Sequence, residues 1–223
     1  MDWHSLAFDI GVLAGLLQAL GYLFYLSNAD IEPNPVSWFM FAYGTLLLTI
    51  LEWDVGARFA EYFLPLVCGV LSIYVAFRCW KKAREIHPQH WWPRDWWPEN
   101  TLDKSSFILD ICITFGYIAA WFLASYALLD DHSRYIAVLV FLWLSNISTI
   151  PSFVPILRST YHKPQTEHWL PWMVWTLSYS LLAVTTYLYQ GTVFHVLMLY
   201  PLLSIVFHFA VALLALRGVR QQT

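Results

Sequence analysis

Seven stretches of about twenty residues each, at 6–26, 36–53, 57–79, 106–129, 135–157, 169–189 and 192–216, are almost free of charge, and they leave this chain little choice of solvent. A helix of about twenty apolar residues matches the roughly 30 Å hydrocarbon layer of a bilayer. The third stretch is the least clean, because Arg58 and Glu61 occupy its first turn, which places them at an interface. A membrane β-barrel needs alternating polar and apolar residues, and runs such as IAVLVFLWL do not alternate. Composition agrees: 59% of residues are apolar and 12% charged, against roughly 25% charged in soluble domains. The expected fold is an all-α integral membrane protein with seven transmembrane helices.

Orientation follows from the cations. With alternating spans, one side receives Arg78, Lys81, Lys82, Arg84, Arg94, Lys104, Arg158, Lys163, Arg217 and Arg220, and the other only Arg58 and Arg134. Cytoplasmic loops carry the excess of Lys and Arg, so the N-terminus is expected outside and the C-terminus inside. The start, MDWHSLAFD, has no cationic region or small-residue cleavage site, so no removable signal peptide is expected.

The second and sixth stretches begin alike, as PNPVSWFMFAYGT (33–45) and EHWLPWMVWTLSY (167–179), with Trp38 and Trp172 offset by 134. Leu47 and Leu48 fall on Leu181 and Leu182 at the same offset. In the following helices Pro65 and Pro201 stand 136 apart, and the first and fifth stretches both run into proline-containing loops, at an offset of 131. Three helices therefore align with three later ones and the fourth stands alone, a three-plus-one-plus-three plan. The domains expected are residues 1–82 (first repeat), 83–104 (Trp- and Pro-rich cytoplasmic loop), 105–133 (linker helix) and 134–223 (second repeat and short tail). Helices one and five run in the same direction, so the repeats are parallel, related by an axis along the membrane normal. Pro65 and Pro201 are expected to bend their helices at one depth.

Seven helices in parallel three-helix repeats with a linker resemble the SWEET sugar transporters and the wider PQ-loop superfamily. Locally, GVLAGLLQALGYLFYL and EHWLPWMVWTLSYSLLAV are most similar to bacterial nicotinamide riboside (Pnu-type) transporters. The dipeptides Pro88-Gln89 and Pro164-Gln165 fall in loops, and the first helix has no proline, both departures from sugar-transporting members. The resemblance implies a facilitator in a bacterial inner membrane, moving a sugar-, vitamin- or nucleoside-like solute by rocking of its halves.

Polar side chains in lipid-spanning segments turn to the bundle interior. Gln18, Ser72, Asn146 and His208 come from corresponding helices of the two halves and, with Trp175, are the expected solute-binding set. Trp38, Trp172, Pro65 and Pro201 are aromatic or gating candidates, although Trp38 and Trp169 also suit interface anchoring. Asp110 is expected to pair with Lys104 or to solvate at the interface. The cysteines Cys68, Cys79 and Cys112 have no metal-ligand spacing, so neither a disulfide framework nor a zinc site is expected. No nucleophile with its base, paired acid and base, or phosphate-cradling loop is present, so the reading is non-enzymatic, without cofactor, metal or nucleic acid. The partners expected are a small solute, the bilayer, and a second copy or a cytoplasmic protein at 81–104. The alternative function is a receptor, scaffold or complex subunit that does not transport.

Overall fold

The computed structural model describes residues 2–27, 35–86 and 101–220. The Trp- and Pro-rich stretch from 87 to 100, Pro88-Gln89 included, lies outside them. The described residues form seven helices: α1 (Trp3–Ser27), α2 (Pro35–Asp54), α3 (Phe59–Ile86), α4 (Thr101–Ser125), α5 (Asp131–His162), α6 (Trp169–Gln190) and α7 (Leu199–Arg220). On length and composition α1, α3, α4, α5 and α7 can each cross a membrane, which gives the chain the character of an integral membrane protein. α6 is as long, but its apolar run is diluted by Trp172, Trp175, Tyr179, Thr185 and Thr186, all buried inside the bundle.

Several ends differ from expectation. α7 begins at Leu199 rather than 192, because Gly191 closes α6 in a left-handed conformation (φ 69°) and His195 caps a 3-10 turn, Val196–Met198, through Nδ1. His195 is therefore a loop residue. α5 continues through Pro151 and Pro155 to His162 instead of stopping near 157. α4 starts at Thr101 and ends at Ser125, before the predicted 129. Pro65 lies inside α3, whereas Pro201 stands in the first turn of α7, where a proline removes no helical hydrogen bond. The two prolines thus act differently on their helices.

Helix contacts run α1 to α3, α3 to α2, α2 to α5, α5 to α7, α7 to α6 and α6 back to α1, a closed ring of six. α4 leans on the outside against α5 and touches α2. Glycines permit the closest seams. A Cβ on Gly11 would lie 2.5 Å from the Ala60 carbonyl oxygen, and one on Gly15 2.3 Å from the Phe63 ring. At one end of the bundle Arg134, at the start of α5, pairs with Asp54, at the end of α2, at 3.0 Å. On α4, Phe115, Trp121 and Phe122 are exposed, a face suited to lipid rather than water.

Candidate functional site

Side chains from six helices, most of them aromatic, converge on one interior pocket. Tyr22 comes from α1, Trp38, Phe41 and Thr45 from α2, and Cys68 from α3. Thr149 and Phe153 come from α5, Trp172, Trp175 and Tyr179 from α6, and Tyr200, Ser204 and His208 from α7. α4 contributes nothing to the wall. The unfilled space is about 350 Å³, of which about 20 Å³ admits the centre of a water-sized occupant. That is room for one or two waters, so a larger guest requires the wall to move.

The rings are packed edge against face. Trp175 stands 4.9 Å from Tyr22, 5.0 Å from Trp172 at 89°, and 6.0 Å from Trp38, centroid to centroid. Its Nε1–H donates to the Gln18 carbonyl at 3.1 Å, and the Ser178 hydroxyl donates to the Ala14 carbonyl at 2.7 Å, so α6 is stitched to the backbone of α1. Such spacing suits mutual edge-to-face attraction and offers faces to a planar ring.

Polar atoms in the wall are mostly spoken for. The Tyr22 hydroxyl bonds Ser72 Oγ at 2.6 Å, and the Tyr179 and Tyr200 hydroxyls bond each other at 2.8 Å. His208 Nδ1 lies 2.7 Å from the Ser204 carbonyl, which can only accept, so Nδ1 carries a proton. In the neutral ring Nε2 is then the acceptor. Ser204 Oγ, 1% exposed, has no hydrogen-bond partner among the described residues. It is the wall hydroxyl best placed to serve a guest.

Of the expected binding set, Trp175 and His208 line the pocket. Ser72 stands behind the wall, holding Tyr22. Gln18 and Asn146 are buried away from it; Asn146 Nδ2 donates to the Leu142 carbonyl at 2.8 Å, while Gln18 Oε1 and Asn146 Oδ1 have no partner among the described residues. Trp38 and Trp172, 3% and 1% exposed, are wall residues rather than interface anchors, because the ring of helices turns both inward. Pro65 and Pro201 are buried but off the wall. Sequence reasoning missed Ser204, Tyr22 and Tyr179. A signal existed for Ser204, which falls on Cys68 at the offset of 136 already visible in Pro65 and Pro201.

Asp110 also departs from expectation. It is 2% exposed and accepts from the Ser148 hydroxyl, far from any pairing with Lys104. Ser106 donates to the Ser148 carbonyl at 2.6 Å and Tyr43 bonds Thr114 at 2.6 Å, so the carboxyl belongs to the seam that holds α4 against α5 and α2. Glu61, expected at an interface, is 2% exposed.

Behind the wall residue Trp172, in the link before α6, the half-buried Glu167 accepts from Trp172 Nε1 at 2.9 Å. The Tyr25 hydroxyl lies close by, outside hydrogen-bond geometry. Burial pushes the Glu167 carboxyl up to about 7, against the lowering pull of Trp172 and Tyr25. The folded state therefore binds this proton more tightly than the unfolded chain. Its contribution is full below the unfolded value of about 4.3 and is lost as pH rises through about 7. With allowance for partial exposure this amounts to about 1–2 kcal/mol. In detergent the thermal midpoint should fall over that window more steeply in the wild type than in Glu167→Gln, which keeps an acceptor for Trp172. Equal slopes in the two proteins would remove Glu167 as the cause.

Among the described residues no three His, Cys, Asp or Glu side chains converge as a metal site. No family profile, curated protein or solved structure matches the chain.

Proposed function

We propose that this chain is a membrane transporter for a small, polar, ring-bearing solute, built as two parallel three-helix units with α4 as linker, on the SWEET and PQ-loop plan its sequence resembles. One observation carries the reading: the pocket wall pairs with itself across the repeat. Tyr22 falls on Phe153 at offset 131, Trp38 on Trp172, Phe41 on Trp175 and Thr45 on Tyr179 at 134, and Cys68 on Ser204 at 136; all ten line the pocket. Ring contacts repeat as well. Tyr22 to Trp175 and its counterpart Phe153 to Phe41 both measure 4.9 Å. The ring of helices supports the same pairing: α1–α3 and α3–α2 are answered by α5–α7 and α7–α6, and α1–α6 by α5–α2.

A solute held between two such units is exposed to one side or the other as they rock. The aromatic faces would take its ring, and Ser204 Oγ and His208 its polar edge. The N-terminus is placed outside and the C-terminus in the cytoplasm by the cation asymmetry, in a bacterial inner membrane by the resemblance. The tightness of the pocket is the observation that favours the second reading, a receptor or scaffold of the same fold that does not transport.

Cys68, in the wall, allows a test with the full chain carrying Cys79→Ala and Cys112→Ala. Nucleosides, nicotinamide derivatives and hexoses are screened for slowing of Cys68 alkylation by N-ethylmaleimide, and then for uptake into proteoliposomes. A solute that protects Cys68 and is taken up is expected. Asn146→Leu should keep both effects and Ser204→Ala should weaken them about tenfold, the loss of one hydrogen bond. If no solute both protects and enters, the scaffold reading stands.

A further inference from the structure

Among the described residues the pocket wall includes no carboxylate, lysine or arginine, so a guest meets rings, hydroxyls, one thiol and one imidazole. Most of the hydroxyl protons there are committed. Tyr22 and Ser72 share a bond of 2.6 Å. Tyr179 donates to Cys68 Sγ at 3.7 Å, which leaves Tyr200 as the donor in the 2.8 Å bond between the two tyrosines. Thr45 and Thr149 turn their hydroxyls back to the carbonyls of Phe41 and Ser145, at 2.5 Å and 3.1 Å. The hydroxyl and the imidazole that remain lie one helical turn apart on α7. Ser204 Oγ, 1% exposed, has no partner among the described residues. His208 donates from Nδ1 to the Ser204 carbonyl at 2.7 Å and so keeps Nε2 as an acceptor. No carboxylate of the wall is there to pair an imidazolium, so the ring is neutral.

These two groups define a complementary edge. Nε2 can only accept, so the guest must bring it an N–H or O–H; Ser204 can donate, so an acceptor beside that donor completes the pair. An N–H next to a carbonyl, as in a lactam, has that order. The rings define the rest. His208 stands 4.7 Å from Tyr179, 5.0 Å from Phe153 and 5.4 Å from Trp172, centroid to centroid, so a guest at its edge lies among aromatic faces and is best planar. A sugar brings several hydroxyls to a wall with few free partners, and each one buried unpaired weakens binding about tenfold. A cation gains from the ring faces, but an unpaired ion in a dry interior loses more than such contacts return. An anion meets the negative faces of the rings. The wall must part for anything larger than a water or two, and a single ring needs the smallest parting.

We propose that the pocket selects an uncharged, single, planar heterocycle with an N–H beside a carbonyl, and that it rejects sugars, nucleosides and ions. The N–H donates to His208 Nε2, the Ser204 hydroxyl donates to the carbonyl, and the ring lies among the aromatic side chains around His208. The inference rests on the reading of this pocket as a solute site and narrows the solute's class.

Calorimetry on the purified full chain in detergent compares uracil, a neutral ring with lactam edges, with uracil methylated on both nitrogens, uridine, glucose and N-methylpyridinium. Uracil is expected to bind about tenfold more tightly than any of the others, or better. The dimethyl compound keeps the ring and both carbonyls and lacks only the donors, whereas uridine keeps a donor and adds the sugar. Ser204→Ala should weaken uracil about tenfold and leave its advantage over the dimethyl compound intact, since both lose the same bond. His208→Phe keeps a ring in the aromatic cluster and should erase that advantage; if this variant does not fold, the methylation pair on the wild type decides. Equal binding of uracil and its dimethyl form overturns the inference. So does binding of uridine, glucose or N-methylpyridinium as tight as that of uracil, or no binding of uracil at all. Uptake into proteoliposomes separates the inference from the transport reading. Uracil bound but not carried leaves the selectivity standing and removes transport, while glucose or uridine carried in place of uracil keeps transport and overturns the selectivity.

Discussion

Gly21→Ala will break the seam between α1 and α6 and release the pocket wall. A Cβ there would stand 2.3 Å from Trp175 Nε1, 2.5 Å from Cδ1 and 3.0 Å from Cε2. The indole has nowhere to retreat, since Tyr22, Tyr25, Trp38, Trp172 and His208 all pack within 6.0 Å of its centroid. Overpacking of this kind costs about 1–3 kcal/mol, and loss of the bond to the Gln18 backbone carbonyl leaves the buried Trp175 indole N–H without an acceptor at about 1–3 kcal/mol more. The thermal midpoint in detergent should fall by roughly 10 °C for a chain of this size. Gly44→Ala is the contrast: its Cβ would meet only Asp110 Oδ2, at an ordinary 3.6 Å, and should be tolerated. Equal midpoints for the two variants would show that the Gly21 approach is not limiting.

Trp175→Ala attacks the same ring from the other side. The side chain is 1% exposed and contributes wall, seam and hydrogen bond together. Truncating a buried tryptophan costs about 3–5 kcal/mol, and the pocket would merge with the space left behind. Trp175→Phe should recover most of the packing and none of the bond, leaving a deficit of about 1–2 kcal/mol. Under the transport reading both variants weaken protection of Cys68 by a ring-bearing solute, and alanine more than phenylalanine. A Trp175→Ala protein as stable as the wild type would mean that the ring is not held as described.

Some of this was legible without any fold. The segment lengths and missing charge dictated helices, because backbone N–H and C=O groups in hydrocarbon must bond within their own segment. The sequence also offered the offsets of Trp38 to Trp172 and of Pro65 to Pro201, of which the first pair meets on the pocket wall. Helix ends were harder. Gly191 and the His195 cap delayed α7, while Pro151 and Pro155 failed to stop α5, since such signals compete with packing that no single segment displays.

Which polar residues face the pocket was not legible. Ranking them by polarity selected Gln18 and Asn146, and the ring of helices turned both away while placing Ser204 and Tyr179 on the wall. Along any one helix all of these are simply polar groups that avoid lipid. Only the rotation of each helix against its neighbours, set by close contacts such as Gly21 on Trp175 and Gly11 on Ala60, decides which of them meet at the centre. The sequence by itself thus determined the helices and their apolar, membrane-like character, from segment length and hydropathy. The tertiary structure alone decided the pocket wall, because it depends on contacts between residues distant in the chain.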